Sequence, residues 1–430
     1  MEENILKEIF FDENKHWECF KKIYRGRIRK VVLEEVEKFR LCGEKEAGFK
    51  LFACELCGEI KTVPHRCKGR FCNTCATGYM DEWSNKTAEN MYNMPHRHIM
   101  FTMPEELWEI FLKRRDLLKE LMDEAVKLLK KWFGNKGVEV GIMAGVHTFG
   151  AAMKFYPHVH IMVTEGGLTK DGKMKRIGFI PYEMLRVRWK TVLVEMLRDK
   201  LSGRDKKKYE KNIEKAYKDN RKGFVVRAPK NKGKVKNKER IKYIGRYIRR
   251  PAIALRRIVS YDGKIVVIKY FDKKEKKEKI EEIEVMEFIA RIIRHIPDRG
   301  FKTIRYYGLY SRRRKKQVDE ILKVKKGKIA KKNWKEKIEE GTKKNPLICP
   351  RCERRGIEIE MEYKGEVSLK NGKLVITYAK CKKARSCLEE MIGYETRRKK
   401  KKEKRDKKKV FKGRGYQGIN GQVCMFGLSS

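Results

Sequence analysis

No run of about 18 apolar residues interrupts this 430-residue chain, and Met1 to Asn14 is mixed and acidic rather than a charged-then-apolar leader. A bilayer span and an export signal are therefore not expected, and the chain reads as soluble, unexported and cytoplasmic. The pattern GxxxxGK[ST] is missing as well, so no P-loop is available to cradle nucleotide phosphates. No internal repeat organises the chain. Negative charge is scarce: 58 Asp and Glu stand against 108 Lys and Arg, a formal net charge of +50. That excess is far beyond the needs of solubility and asks for a polyanionic partner, nucleic acid ahead of a membrane surface.

What is present is cysteine in metal-binding spacing. Cys54-Glu-Leu-Cys57 and Cys72-Asn-Thr-Cys75 are two CxxC pairs separated by fourteen residues, with His65 and Cys67 between them. In a lysine-rich chain without an export signal such pairs point to zinc rather than to disulfides. Cys54, Cys57, Cys72 and Cys75 are the first choice of ligands. Cys67 is one thiol too many, so it either replaces one of the four or packs nearby, and His65 is a lesser substitute. A closed thiolate site is structural, and here it would shape a basic finger that turns Lys61, Arg66, Lys68 and Arg70 towards DNA. A second element opens with Cys349-Pro-Arg-Cys352, candidate zinc ligands that Cys381 and Cys387 could complete around strands near 357 to 363 and 373 to 378.

Histidine carries the second signal. In Pro157-His158-Val159-His160-Ile161-Met162-Val163, strand alternation puts His158, His160 and Met162 on one face and Val159, Ile161 and Val163 on the other. Two imidazoles about 7 Å apart on a pleated face converge on one divalent cation if a third ligand comes from a neighbouring element. Val138 to Phe149 reads as a strand turning back beside this one, which brings His147 close as candidate third ligand; Glu165, past the strand end, is the runner-up. The pair His96 and His98 reads as an ordinary strand end, because Arg97 stands where a core residue would be expected. A helix is expected over Glu105 to Phe133, a Gly166-Gly167 turn after the histidine strand, a helix over Pro181 to Leu201, a basic connector over 202 to 236 and a hairpin over 252 to 272.

Tyrosine carries the third. On a helix, Ile241, Ile244 and Ile248 share a stripe while Tyr243 and Tyr247 stand together to one side, one turn apart. Packing at the stripe's margin is the plain reading of that pair, and a pair of nucleophiles the other. From 312 to 345 the composition collapses to charge, and Arg397 to Lys412 is almost wholly basic, a tail suited to holding phosphates by charge alone.

Taken in order, these blocks resemble the two-tyrosine HUH transposases of rolling-circle insertion sequences, the group named after insertion sequence ninety-one. The resemblance covers about 20 to 312. It rests on Cys67-Lys-Gly-Arg-Phe-Cys72-Asn-Thr-Cys75, His98-Ile-Met-Phe-Thr-Met-Pro104, Thr148-Phe-Gly150 leading into Pro157-His158-Val159-His160, Tyr243-Ile-Gly-Arg-Tyr247, and Phe301 to Gly308. It departs at His147, where the family more often has glutamine, and it does not support Cys381 and Cys387. The resemblance implies an α+β fold, an HUH endonuclease palm of antiparallel sheet with flanking helices, behind an N-terminal zinc-binding finger and ahead of a candidate C-terminal zinc ribbon and basic tail. The expected divisions are 1–95 for the lead-in and finger, 96–312 for the catalytic domain, 313–345 for a linker, 346–394 for the ribbon and 395–430 for the tail.

The implied activity is nicking and rejoining of single-stranded DNA at transposon ends, in the nucleoid. His158, His160 and His147 would hold Mg²⁺ or Mn²⁺ on the scissile phosphate, and Tyr243 and Tyr247 would attack to give a 5′-phosphotyrosine link. Lys68, Arg70, Arg240, Lys242 and Arg246 are the cations assigned to DNA. A replication initiator or relaxase would use the same chemistry, and a zinc-stapled DNA-binding protein is the alternative without catalysis. The histidine-triad nucleotide hydrolases want a third histidine where this chain has Met162, which excludes them. The residues set no oligomeric state.

Overall fold

The computed structural model describes residues 4–227 apart from 55 and 58, then 239, 242, 251–272, 275–323, 333–342, 344–354, 357–370 and 373–382. Its strands are β1 (Phe49–Cys54), β2 (Ile60–Pro64), β3 (His96–Phe101), β4 (Glu139–Phe149), β5 (Phe155–Leu168), β6 (Met174–Arg176), β7 (Val226–Arg227), β8 (Ile258–Tyr261), β9 (Ile265–Asp272), β10 (Lys277–Glu284), β11 (Ile304–Gly308), β12 (Ile357–Lys370) and β13 (Lys373–Lys382). The class is α+β, with antiparallel sheets and packed helices. No helix among the described residues is long and apolar enough to cross a membrane.

The central sheet runs β11-β4-β5-β3-β7, with β6 paired to β5 beside this path. Its two faces separate as strand alternation dictates. Ile142, Ala144, Val146, Val159, Ile161 and Val163 enter the main core, where the helices Leu117–Gly134 and Tyr182–Lys200 cover them. Met143 and Met162 point the other way and pack with Ala88 and Trp83 of the helix Asn73–Asn90. One face of β4 and β5 is thus given to stability, while the other is left for the histidines.

A second core joins the N-terminal helices to a small sheet of order β10-β9-β8 and the helix Val285–Ile293. Glu284 caps that helix, its carboxylate accepting from the Glu287 N–H at 3.1 Å.

The chain divides into two units, 1–42 with 66–346 and 43–65 with 347–430. The division runs through the expected lead-in and finger, at 42/43 and 65/66, rather than at 95, because β1 pairs with β12 in a four-stranded sheet β13-β12-β1-β2. Part of the expected finger therefore shares a sheet with the expected C-terminal ribbon.

Several local expectations are corrected. The helix expected over Glu105 to Phe133 is broken: a short helix ends at Lys113 and Leu117–Gly134 begins anew, with Arg114 forked onto Asp116 at the break. Within the expected connector 202 to 236, Gly203–Asp219 is a helix that buries Tyr209, Ile213 and Ala216 on one face. The expected hairpin over 252 to 272 gains β10 as a third strand.

Gly166-Gly167 is not a turn; β5 runs through both to Leu168. Gly166 has φ +136° and pairs with Arg176, and a Cβ on Gly167 would lie 1.8 Å from the Glu139 carbonyl oxygen. The two glycines admit a close strand neighbour on each side.

Candidate active site and zinc centres

The histidine site is made by register. β4 and β5 pair antiparallel with His147 opposite His158 and Gly145 opposite His160, so the three imidazoles share a face. The pairing shifts between His147 and Phe149, a bulge at the mouth of the site. Ring centroids lie 4.6 Å apart for His147 and His160, 4.7 Å for His158 and His160, and 5.5 Å for His147 and His158. One ligand nitrogen from each ring falls within 4.8 Å of the others, and all three rings are buried.

Their orientation is set from outside the trio. His158 Nδ1 donates to the Tyr156 carbonyl at 2.8 Å, so Nε2 is the nitrogen that could hold a cation. His160 Nδ1 lies 2.8 Å from His98 Nε2, so Nε2 is likewise the nitrogen that could hold a cation. Three imidazoles suit a divalent transition cation, so the residues present fit Mn²⁺ better than the harder Mg²⁺.

His98 was expected to be an ordinary strand residue, and the structure sets it against the site. Its neighbour His96 is structural: Nδ1 donates to the Met94 carbonyl at 2.7 Å and Nε2 accepts from the Tyr310 hydroxyl at 2.6 Å. Glu165, the runner-up ligand, is corrected. It lies on the core face of β5 and forms a buried ion pair with Arg97 at 2.8 Å. Counting by twos from His158 and His160 would have placed it there.

The thiols group differently from the sequence reading, which put Cys54, Cys57, Cys72 and Cys75 on one ion. Cys42, Cys67, Cys72 and Cys75 form one cluster, and Cys54, Cys57, Cys349 and Cys352 another. In the first, Sγ atoms stand 3.6 Å apart for Cys42 with Cys72 and with Cys75, and 3.7 Å for Cys67 with Cys75. A tetrahedral zinc with bonds of about 2.3 Å needs sulfur edges of about 3.8 Å, whereas a disulfide needs about 2 Å. The cluster fits a structural zinc ion.

Hydrogen bonding with Cys67 holds the Cys42 thiol far below the ordinary range, and bonding with Cys42 pushes Cys67 and Cys75 up. Cys72 is the N-cap of the helix Asn73–Asn90 and Cys75 lies in its first turn, where the helix dipole favours thiolate. Cys42 was missed in the sequence because it stands alone, outside any CxxC pair. The surplus thiol at Cys67 was the signal that a further ligand had to be sought.

Cys381 lies on β13 and Cys387 falls outside the described residues. His65 is held by its backbone to Gly43 and Gly48 and belongs to neither cluster. Tyr243 and Tyr247 lie outside the described residues, as do Arg240 and Arg246; Lys242 is helical.

A cavity of about 500 Å³ opens beside His147. Lys68, Arg70, His147, Phe149, Phe301 and Arg115 contribute to its wall. The loop between Cys67 and Cys72 thus lends two cations to a cleft that His147 also lines, and Arg70 is held there by the Thr303 hydroxyl.

Residues 141–317 match the family model described as a putative transposase, and residues 13–103 match the transposase zinc-binding domain. The chain is 29% identical over 321 residues to the transposase for insertion sequence element IS801 of Pseudomonas savastanoi pv. phaseolicola, across 72% of this chain and 76% of the relative. It is 25% identical over 339 residues to the putative transposase y4qJ of Sinorhizobium fredii, across 73% of this chain and 84% of that one. No solved structure matches the chain significantly. The chain belongs to the transposases of the insertion sequence ninety-one family, DNA-processing enzymes, and carries their N-terminal zinc-binding domain.

Proposed function

We propose that this transposase nicks and rejoins single-stranded DNA at the ends of its element through a covalent tyrosine link, in rolling-circle transposition. The observation that carries the reading is the convergence of His147, His158 and His160, with ligand nitrogens within 4.8 Å of one another on one buried sheet face. When bound there, Mg²⁺ or Mn²⁺ neutralises the scissile phosphate and aligns it for in-line attack.

The hydroxyl of Tyr243 or Tyr247 gives up its proton as its oxygen bonds to phosphorus, the P–O3′ bond breaks, and the departing oxygen takes up one proton to become a 3′-hydroxyl, so the step is proton-neutral. The DNA 5′ end stays on the tyrosine, so the bond energy is kept and a later 3′-hydroxyl reverses the step without a nucleotide. Two tyrosines let one hold the first end while the other makes the second cut.

Lys68 and Arg70 supply charge for the backbone, with Arg240, Lys242 and Arg246 next to the tyrosines in sequence. Phe149 and Phe301 in the same cavity offer faces on which unpaired bases stack, which favours single strands over duplex. The working place is the nucleoid in the cytoplasm, where the substrate is.

The test is incubation of the full chain with labelled single-stranded DNA from its own element's ends and Mn²⁺. A detergent-resistant adduct is expected, lost in the double variant Tyr243→Phe with Tyr247→Phe and in His160→Ala. An adduct that persists in the double variant removes the tyrosines as nucleophiles.

A further inference from the structure

We infer that Cys54, Cys57, Cys349 and Cys352 form a second zinc site, a ribbon whose two knuckles come from opposite ends of the chain. Cys54 Sγ lies 3.6 Å from Cys352 Sγ and Cys57 Sγ lies 3.5 Å from Cys349 Sγ, positions separated by 298 and 292 residues. These are edges of a tetrahedron around one ion, too long for disulfides and close to the spacing at the first cluster.

The backbone makes the same statement independently. Cys54 N–H donates to the Glu59 carbonyl at 2.9 Å, and Cys349 N–H donates to the Arg354 carbonyl at 3.3 Å. In each knuckle the first cysteine closes a loop onto the residue five further on. In each, a strand then leaves: β2 after Cys57 and β12 after Cys352. Repeated loop closure around paired thiols is the local geometry of a zinc ribbon, here built twice and facing itself.

The sheet explains how the halves meet. β1 pairs with β12 from Lys50 opposite Glu362 to Cys54 opposite Ile357, so the ladder ends at the thiols. Lys61 Nζ adds a hydrogen bond to the Ile348 carbonyl at 2.9 Å, one residue before the second knuckle. Everything from 66 to 346 is, in this sense, an insertion into the ribbon. A metal that closes so long a loop removes much freedom from the unfolded chain, so it acts as the clasp of this unit.

The pairing differs from a ribbon closed by Cys381 and Cys387, and zinc stoichiometry of the full chain by native mass spectrometry separates the two. The wild type should hold two zinc ions. Cys54→Ser with Cys57→Ser should hold one, Cys349→Ser with Cys352→Ser should hold one, and all four substitutions together should still leave one. One ion in the wild type overturns the proposal. Loss of the second ion in Cys381→Ser with Cys387→Ser overturns it too.

Should a Ser pair release both ions, Cys352→His keeps a ligand in place. In the cobalt-loaded chain it should alter the thiolate charge-transfer absorption of one site and spare the other. An unchanged spectrum there counts against the site.

Discussion

His98 Nε2 lies 2.8 Å from His160 Nδ1, with the two rings stacked 5.0 Å apart at 22°. β3 pairs with β5 so that His98 stands opposite Met162 and reaches diagonally to His160 on the same face. For His160 Nε2 to hold a cation as a neutral imidazole, Nδ1 must carry the proton and donate it to His98. A third strand thus fixes a ring that belongs to the second.

Loss of that bond should weaken Mn²⁺ binding by about 10- to 100-fold in His98→Ala, the range for removal of such supporting partners. His98→Gln, whose side-chain oxygen accepts the same bond, should recover most of it. Mn²⁺ titration followed by relaxation enhancement checks both. Equal affinity in all three proteins would remove His98 from the site.

Glu165 should matter for stability and not for the metal. Its side chain and that of Arg97 are both 6% exposed, and Arg97 also reaches the Gly178 carbonyl. Glu165→Ala leaves a buried guanidinium without its counter-charge, at a cost of about 3 to 5 kcal/mol. Denaturant midpoints should fall accordingly, while Mn²⁺ affinity in the folded variant stays within about twofold. A large loss of metal affinity at unchanged stability would restore Glu165 as a ligand.

Acid should destabilise the fold through two neutral histidines. Burial pushes His295 down to about 3 and His96 down to about 4. His295 Nε2 donates to the Met153 carbonyl at 2.8 Å while Nδ1 accepts from the Thr148 hydroxyl at 3.1 Å, so the neutral ring is satisfied at both ends. Unfolded histidine takes up its proton near 6.5 and the folded rings do not. Their stability is therefore complete above about 6.5 and is lost as pH falls towards the folded values, at about 1.4 kcal/mol per pH unit for each ring. Denaturant midpoints between about pH 6.5 and about pH 5 should fall less steeply in His295→Asn than in the wild type.

Local pattern was legible in the sequence, and long-range pairing was not. The alternation from Pro157 to Val163 told which residues face the core, because a strand's period is a local property. The grouping of thiols depends on which CxxC meets which, and β1 finds β12 across some three hundred residues with no local trace. The helix Gly203–Asp219 was hidden by its charge, although Tyr209, Ile213 and Ala216 repeat at helical spacing. The glycines at 166 and 167 read as a turn by composition, but the backbones beside them explain them, Lys175 and Arg176 against Gly166 and Glu139 against Gly167. His98 had no signal of its own, since its part depends on a neighbour set by sheet order.

The first zinc cluster and the histidines are joined by one helix, and they should fail together. Asn73–Asn90 starts on Cys72 and Cys75, and its length of about 27 Å carries Trp83 and Ala88 onto Met143 and Met162, beside the histidine face. Without zinc the first turn loses its anchor, and the lid over that face loosens. Cys72→Ser with Cys75→Ser should therefore weaken Mn²⁺ binding severalfold, although none of the four thiols belongs to the histidine cluster. Trp83→Ala should produce a similar loss with zinc retained, because it acts at the far end of the same helix. Wild-type Mn²⁺ affinity in the Cys72→Ser, Cys75→Ser variant would show that the histidine face stands without its helix and that the two centres are independent.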